Sequence, residues 1–333
     1  MTPARAAKSG ARLRRRVRTS KPGAPSRATD GIVVARGSLL DIEHLQPEEI
    51  TNLLRLARSM QRAEPRPILH GKIVGLVFYE PSTRTRTSFE VAAKKLGAMT
   101  LLLQASGSSI EKGESLIDTG YTLQAEGANV VVFRHPNAGA PHLIAEYLDI
   151  PVINAGDGMH EHPSQALLDA YTIIQKLKDL RGKKVAIVGD VYHSRVARSN
   201  IHLLTKFGAQ VTLCGPPEFV PETAATLALG LRITRHLEEA IRGANVIMLL
   251  RVQKERLVGM TLDVGEYIAR YQLTMARLRL AKPDALVMHP GPIIRGMELS
   301  SEVADCSQSV IRDEVQNGVA VRMAILARAL GEK

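Results

Sequence analysis

The chain has 333 residues, 45% hydrophobic and 23% charged, enough to bury the cores of two domains of ordinary soluble composition. Its net charge of +11 is concentrated at one end: ten Lys/Arg and one acid, Asp30, fall within residues 1–37, leaving 34 basic and 32 acidic residues over 38–333. A near-neutral body with 4% aromatic content offers no base-stacking platform, which argues against a nucleic-acid partner; two distant cysteines, Cys214 and Cys306, exclude a disulfide framework and a zinc site and suit a reducing compartment.

In chain order, residues 1–37 form a Pro/Gly/Ser/Ala-rich basic arm with almost no apolar periodicity, read as disordered. Contact with RNA or an acidic partner, an Arg-rich transit peptide, a dispensable extension and an upstream start codon all remain open for it, and no functional step depends on it. From residue 38 onward, short β-branched runs alternate with helical patterns. The runs 72–78, 129–133, 151–154, 183–188, 210–213, 245–250 and 285–288 read as strands. Residues 164–177 place Ala166, Leu167, Ala170, Ile173, Ile174 and Leu177 at the spacing of an amphipathic helix. No apolar run is long enough to span a bilayer.

This alternation predicts an α/β fold of two domains, each a parallel sheet flanked by helices. We expect two three-stranded sets split near residue 163, with a first domain over 38–163, a second over 164–317, and a final helical pattern, 318–331, returning to the first. Open parallel sheets bind ligands beyond the carboxyl ends of their strands, which places an active site in the interdomain cleft.

The segments after the strands carry the chemistry. Ser82-Thr83-Arg84-Thr85-Arg86-Thr87 joins a strand to a helix start, so hydroxyls, guanidinium groups and unpaired N–H donors at the positive end of a helix dipole coincide. That combination is a phosphate cradle without a Walker lysine. His162-Pro163-Ser164-Gln165 opens the helix over 164–177, where His162 serves equally as a cap or as a donor to an anion. Lys112 fits a solvated loop lysine, and Arg195 and Arg251, just past strands, fit surface ion pairs as readily as a substrate clamp.

Five motifs in order (78–86 reading Phe-Tyr-Glu-Pro-Ser-Thr-Arg-Thr-Arg, Arg134-His135-Pro136, His162-Pro163-Ser164-Gln165, Arg251-Val252-Gln253 and His289-Pro290-Gly291-Pro292) make residues 38–331 closely resemble the transcarbamoylase family, in its aspartate-accepting branch. The resemblance implies that Ser82, Thr83, Arg84, Thr85 and Arg134 hold the phosphate of carbamoyl phosphate. It implies that His162 and Gln165, with Thr85, Arg134 and the backbone of Pro290 and Gly291, bind the carbamoyl end. Arg195, Arg251, Gln253 and Lys112 would take aspartate, and Arg86 would support the cradle without touching substrate. Ser108 and Lys112 would enter the site of a neighbouring subunit, which implies a homotrimer with shared active sites. Arg84, Thr85, Arg134 and His162 would be catalytic, with no cofactor and no metal. A larger assembly with regulatory or dihydroorotase-like chains, and a cytoplasmic bacterial setting from Arg295-Gly296-Met297-Glu298, belong to the same resemblance.

The chemistry is consistent with these roles. Two dianionic substrates need about four charges neutralised by arginine, lysine and helix ends, and Arg84, Lys112, Arg134, Arg195 and Arg251 suffice. Ornithine as acceptor would call for an acidic group in the second domain's cleft and, in that branch, a cysteine in the motif that here reads His289-Pro290-Gly291-Pro292. That motif also departs from the Pro-Leu-Pro form of some aspartate-accepting members, at a place where mainly backbone is used. A nicotinamide enzyme is excluded because Val188-Gly189-Asp190-Val191-Tyr192-His193 lacks the further glycines a pyrophosphate requires.

Overall fold

The computed structural model describes residues 28–29, 32–62, 64, 66–104, 113–252 and 263–331. Two short strands, β1 (Ala28–Thr29) and β2 (Ile32–Val33), pair antiparallel within the basic arm. After α1 (Pro47–Arg62) the chain alternates through β3 (Ile73–Phe78), α2 (Thr83–Lys95), β4 (Met99–Gln104), α3 (Leu116–Ala125), β5 (Val130–His135), α4 (Ala140–Tyr147) and β6 (Val152–Asp157). Helix α5 (Pro163–Leu177) leads into β7 (Lys184–Val188), α6 (Arg195–Lys206), β8 (Gln210–Cys214), β9 (Arg232–Thr234), α7 (Leu237–Ile241) and β10 (Val246–Leu249). Then come α8 (Val264–Tyr271), α9 (Met275–Leu278), β11 (Leu286–Met288), α10 (Ser301–Asp305) and α11 (Ile311–Leu330).

Apart from β1 and β2, all strands pair in parallel, in the orders β4-β3-β5-β6 and β11-β10-β7-β8-β9. The sheets thus have four and five strands, larger than the three-stranded sets expected from sequence. Seven of these nine strands match the expected runs, and the two beyond them, β4 and β9, are edge strands whose sequences carry little strand signal. β4 is Met-Thr-Leu-Leu-Leu-Gln, with Met99 58% and Leu102 49% exposed, and β9 is three residues long.

Inner strands are buried on both faces, as parallel sheets covered by helices must be: Val130 through Phe133 are all fully enclosed. Helix α11 packs on α1, α2 and α5, and Asn317 anchors it there. Asn317 donates to Thr172 Oγ1 at 2.9 Å and accepts from Gln61 Nε2 at 2.8 Å, which links three helices through one amide. No helix among the described residues is long and apolar enough to cross a membrane.

Both strand orders reverse direction once. In the first sheet the chain passes from β3 to one edge, then returns to lay β5 on its other side; in the second the same happens between β7 and β10. At such a switch point adjacent connections leave in opposite directions and open a crevice beyond the strand ends. The cradle follows β3, Arg134 lies on β5 opposite Phe78, Arg195 follows β7, and Arg251 follows β10.

Candidate active site

A cleft of about 630 Å³ lies across both switch points. On one side is the first turn of α2. Ser82 precedes it in an extended conformation (φ −156°, ψ 91°), its side chain makes no capping bond, and no acid occupies the turn. The positive helix end is therefore left for an anion, with Ser82, Thr83, Arg84 and Thr85 all lining the cleft. The Arg84 guanidinium lies against Gly291 (φ +72°), where an added Cβ would come within 2.6 Å of Arg84 Cζ and Nη1. Glycine is required there both for backbone conformation and for contact with the arginine. Arg86 is partly buried and does not line the cleft.

Arg134 and Arg195 share a carboxylate. Arg195 Nη2 donates to Glu80 Oε2 at 2.7 Å, and Arg134 Nε lies 3.2 Å from the same oxygen. Arg195 Nη1 also donates to the Gly158 carbonyl at 3.2 Å, and a Cβ at Gly156 would meet its Nε at 3.0 Å. Burial, then the neighbouring Arg195, bring the Arg134 guanidinium down to about 10 against the opposing pull of Glu80, so it remains a cation at neutral pH. Arg195 is the first residue of α6, whose cap Ser194 accepts from the Ala197 N–H at 3.1 Å.

His162 is the N-cap residue of α5 with Pro163 after it, as expected, but its side chain makes no cap bond and is left for other partners. Its backbone N–H donates to Ser199 Oγ at 2.8 Å, and Nε2 points toward Thr85 Oγ1 at 3.4 Å. Burial, reinforced by Arg134, Arg195 and Arg322, drives its pKa well below the ordinary histidine value. It is a neutral imidazole, suited to hydrogen bonding and not to carrying a proton in. Gln165, one turn later, donates Nε2 to Asp169 at 2.9 Å, which leaves its carbonyl oxygen for other partners. Across the cleft, the Gly291 N–H donates to His289 Nδ1 at 2.8 Å, and burial, then Arg84 and Arg251, lower the His289 pKa to about 3. That bond fixes the turn whose Pro290 and Gly291 line the cleft.

Arg251 is exposed at the end of β10 and lines the cleft. The main chain next to it is anchored by Glu298, a buried carboxylate to which sequence reasoning gave no role in the site. Glu298 accepts from the Val252 and Ile294 N–H groups, both at 3.0 Å, and so ties the segment after β10 to the turn after β11. Ser108, Lys112 and Gln253 lie outside the described residues. The structure thus brings together Ser82, Thr83, Arg84, Thr85, Arg134, His162, Gln165, Arg195, Arg251, Pro290 and Gly291. It adds Glu80, Asp190 and Glu314 to the lining. Glu80 adjoins the cradle in sequence, which was the available signal; Asp190 holds His193, whose Nδ1 lies 2.9 Å away.

Comparison with known proteins agrees with this geometry. The family model described as aspartate/ornithine carbamoyltransferase, carbamoyl-P binding domain, matches residues 38–175, and the one described as the Asp/Orn binding domain matches 181–329. The aspartate carbamoyltransferase catalytic subunit of Koribacter versatilis is 61% identical over 295 residues, 89% of this chain and 97% of that protein. An aspartate transcarbamoylase from Trypanosoma cruzi, solved with carbamoyl phosphate and aspartate, is 32% identical with a TM-score of 0.78, covering 87% of this chain and 95% of that one. The ornithine carbamoyltransferase of Pyrococcus furiosus reaches a TM-score of 0.79 at 30% identity, covering 90% of this chain and 99% of that one, so overall shape alone does not separate the two acceptors. On these matches over nearly all of its two sheets, the chain belongs to the aspartate/ornithine carbamoyltransferase family.

Proposed function

We propose that the chain transfers the carbamoyl group of carbamoyl phosphate to the amine of L-aspartate, giving N-carbamoyl-L-aspartate and phosphate, an early step of pyrimidine synthesis. The observation that carries this reading is the convergence of two cation sets. The α2 N-terminus with Arg84 and Arg134, and Arg195 with Arg251, line one cleft. One set suits a phosphate dianion and the other a dicarboxylate.

The aspartate nitrogen attacks the carbamoyl carbon, the carbonyl oxygen gains charge, and the carbon–oxygen bond to phosphate breaks. Thr85, Arg134 and neutral His162 are positioned to donate to the developing oxyanion, while Ser82, Thr83 and Arg84 stabilise the departing phosphate. Gln165 and the main chain at Pro290 and Gly291 orient the carbamoyl amide. The proton released by the amine leaves with the phosphate, because among the described residues no cleft side chain is poised as a general base. Catalysis is then alignment plus electrostatics.

In this reading residues 38–163, completed by the C-terminal helix, hold carbamoyl phosphate, and 164–317 hold aspartate. Aspartate is favoured over ornithine by charge. Among the described lining residues the carboxylates are already engaged: Glu80 by Arg134 and Arg195, Asp190 by His193, and Glu314 by the His289 N–H. The first two are neutralised and Glu314 is 3% exposed, so none offers an open carboxylate to a side-chain ammonium, whereas Arg251 is exposed to the cleft. A cytoplasmic homotrimer whose Ser108 and Lys112 complete a neighbour's site fits the apolar exposure of Val91, Met99 and Leu102 beside the edge of the first sheet. The test is an assay of purified protein with carbamoyl phosphate, comparing aspartate and ornithine; product from ornithine alone would overturn the assignment.

A further inference from the structure

Behind the cleft wall two carboxyl groups meet. Asp169 on α5 is 0% exposed, Glu314 in the first turn of α11 is 3% exposed, and their carboxyl groups lie within hydrogen-bonding reach of each other. Both Asp169 oxygens accept from amides, Oδ1 from Gln165 Nε2 at 2.9 Å and Oδ2 from Asn200 Nδ2 at 2.7 Å. Glu314 Oε2 accepts from the His289 N–H at 3.0 Å, and Oε1 receives no donor. Two ionised carboxylates have no proton with which to hydrogen bond, and side by side in a buried site they repel. One proton must lie between them. Since the Asp169 oxygens are already served by N–H groups, it belongs to Glu314.

We propose that Glu314 is a positioning residue acting as a neutral acid: its proton, donated to Asp169, ties the His289 main chain at the end of β11 to Gln165 on α5. These are the two places assigned above to the carbamoyl amide, so the inference rests on that functional reading. The tie joins the helix that follows the first sheet to the last strand of the second. It fixes the distance between two groups that no strand pairing connects.

The charged surroundings are consistent with a single proton. Arg322 from α11 attracts Asp169 without a direct ion pair, its guanidinium lying 5.2 Å over the Phe89 ring of α2. Asp313, the other acid facing Glu314 on α11, is bound by Lys176 of α5 at 2.9 Å. Beyond His289 stand Arg84 of α2 and Arg251 after β10. From α1 the pairing to this helix is neutral Gln61, and Glu49 meets Arg328 far along it. Burial, then the mutual repulsion of the pair, raise Glu314 well above the usual carboxylate range, and burial raises Asp169 to about 6. Increasing pH therefore strips the shared proton and breaks the tie.

The test compares the parent enzyme with Glu314→Gln, Glu314→Ala and Asp169→Asn. The Gln variant keeps an acceptor for His289 and a donor for Asp169. It should hold kcat and the KM for carbamoyl phosphate within about threefold of the parent at neutral pH and lose the parent's alkaline rise in KM. Glu314→Ala, with circular dichroism unchanged, should raise that KM about tenfold or more with a smaller change in the KM for aspartate. An alkaline limb unchanged in Glu314→Gln, or a Gln variant no better than Ala, would overturn the proposal. Infrared difference spectra provide a readout independent of activity. The parent should show a protonated-carboxyl carbonyl band at neutral pH that is missing from Glu314→Gln and shifted in frequency in Asp169→Asn, where the acceptor of its proton changes, and a parent without it refutes the shared proton. Failure of the parent to carbamoylate aspartate would sink the functional reading alone, since the band still decides the pair.

Discussion

The cradle residues work because each supplies something the others lack. Thr85 and the α2 N–H groups give short-range donors, Arg84 gives charge, and Gly291 gives Arg84 its place. Arg84→Ala should lower kcat by at least about a hundredfold in the same assay, the scale expected when a transition-state donor is removed. Gly291→Ala should do comparable harm without removing any charge. At the other end, Arg251→Ala should raise the KM for aspartate far more than that for carbamoyl phosphate, and equal losses would contradict its role. His162 adds a different expectation. Nitrogen-15 NMR should find it a neutral imidazole throughout the pH range in which turnover falls on the acid side, because burial and three arginines disfavour its charged form. Much of this was legible from sequence, since cleft residues sit at strand ends and helix starts, where a motif is contiguous. What was not legible is how acids are used. Nothing in the sequence marks what Glu80, Asp169, Glu298 and Glu314 hold, because only tertiary packing turns them inward onto arginines, side-chain amides and main-chain N–H groups.

Elements set the precision of the site. Helix α6 begins with Arg195 and is capped by Ser194, so loss of the cap should both fray the turn and displace a guanidinium. Ser194→Ala should cost about 1 kcal/mol in urea unfolding, and it should raise the KM for aspartate while leaving binding of phosphate unchanged. The inner strands were readable as β-branched runs because they are buried on both faces. The edge strands were not, because β4 is Leu-rich with one face open and β9 is too short to show a period. Helix α11 was recognised only from Gly318, since its first two turns carry Asp313, Glu314 and Asn317 in place of an apolar stripe, and that polar end is the part that reaches the site.

For the whole molecule, burial of neutral histidines couples stability to pH. His162 and His289 are protonated in the unfolded chain below about pH 6.5 but resist protonation when folded, His289 down to about 3. The unfolded state then binds more protons, so stability falls as pH drops below 6.5, by up to about 1.4 kcal/mol per pH unit for each histidine. Urea midpoints at pH 7 and pH 5 should differ more in the parent than in His289→Asn. Assembly admits a separate check. Inactive Arg84→Ala and Ser108→Ala/Lys112→Ala variants, mixed and reassembled, should regain part of the parental turnover if sites are shared between chains, and removal of residues 1–37 should leave turnover intact.

The Glu80 carboxylate already sits between Arg134 and Arg195. Two guanidinium groups against one carboxylate leave one net positive charge. A first negative charge on a ligand can meet that surplus while Glu80 stays in place, and a second finds a partner there only if Glu80 gives way. The bridge is thus a built-in counter-ion with which a doubly charged ligand must compete.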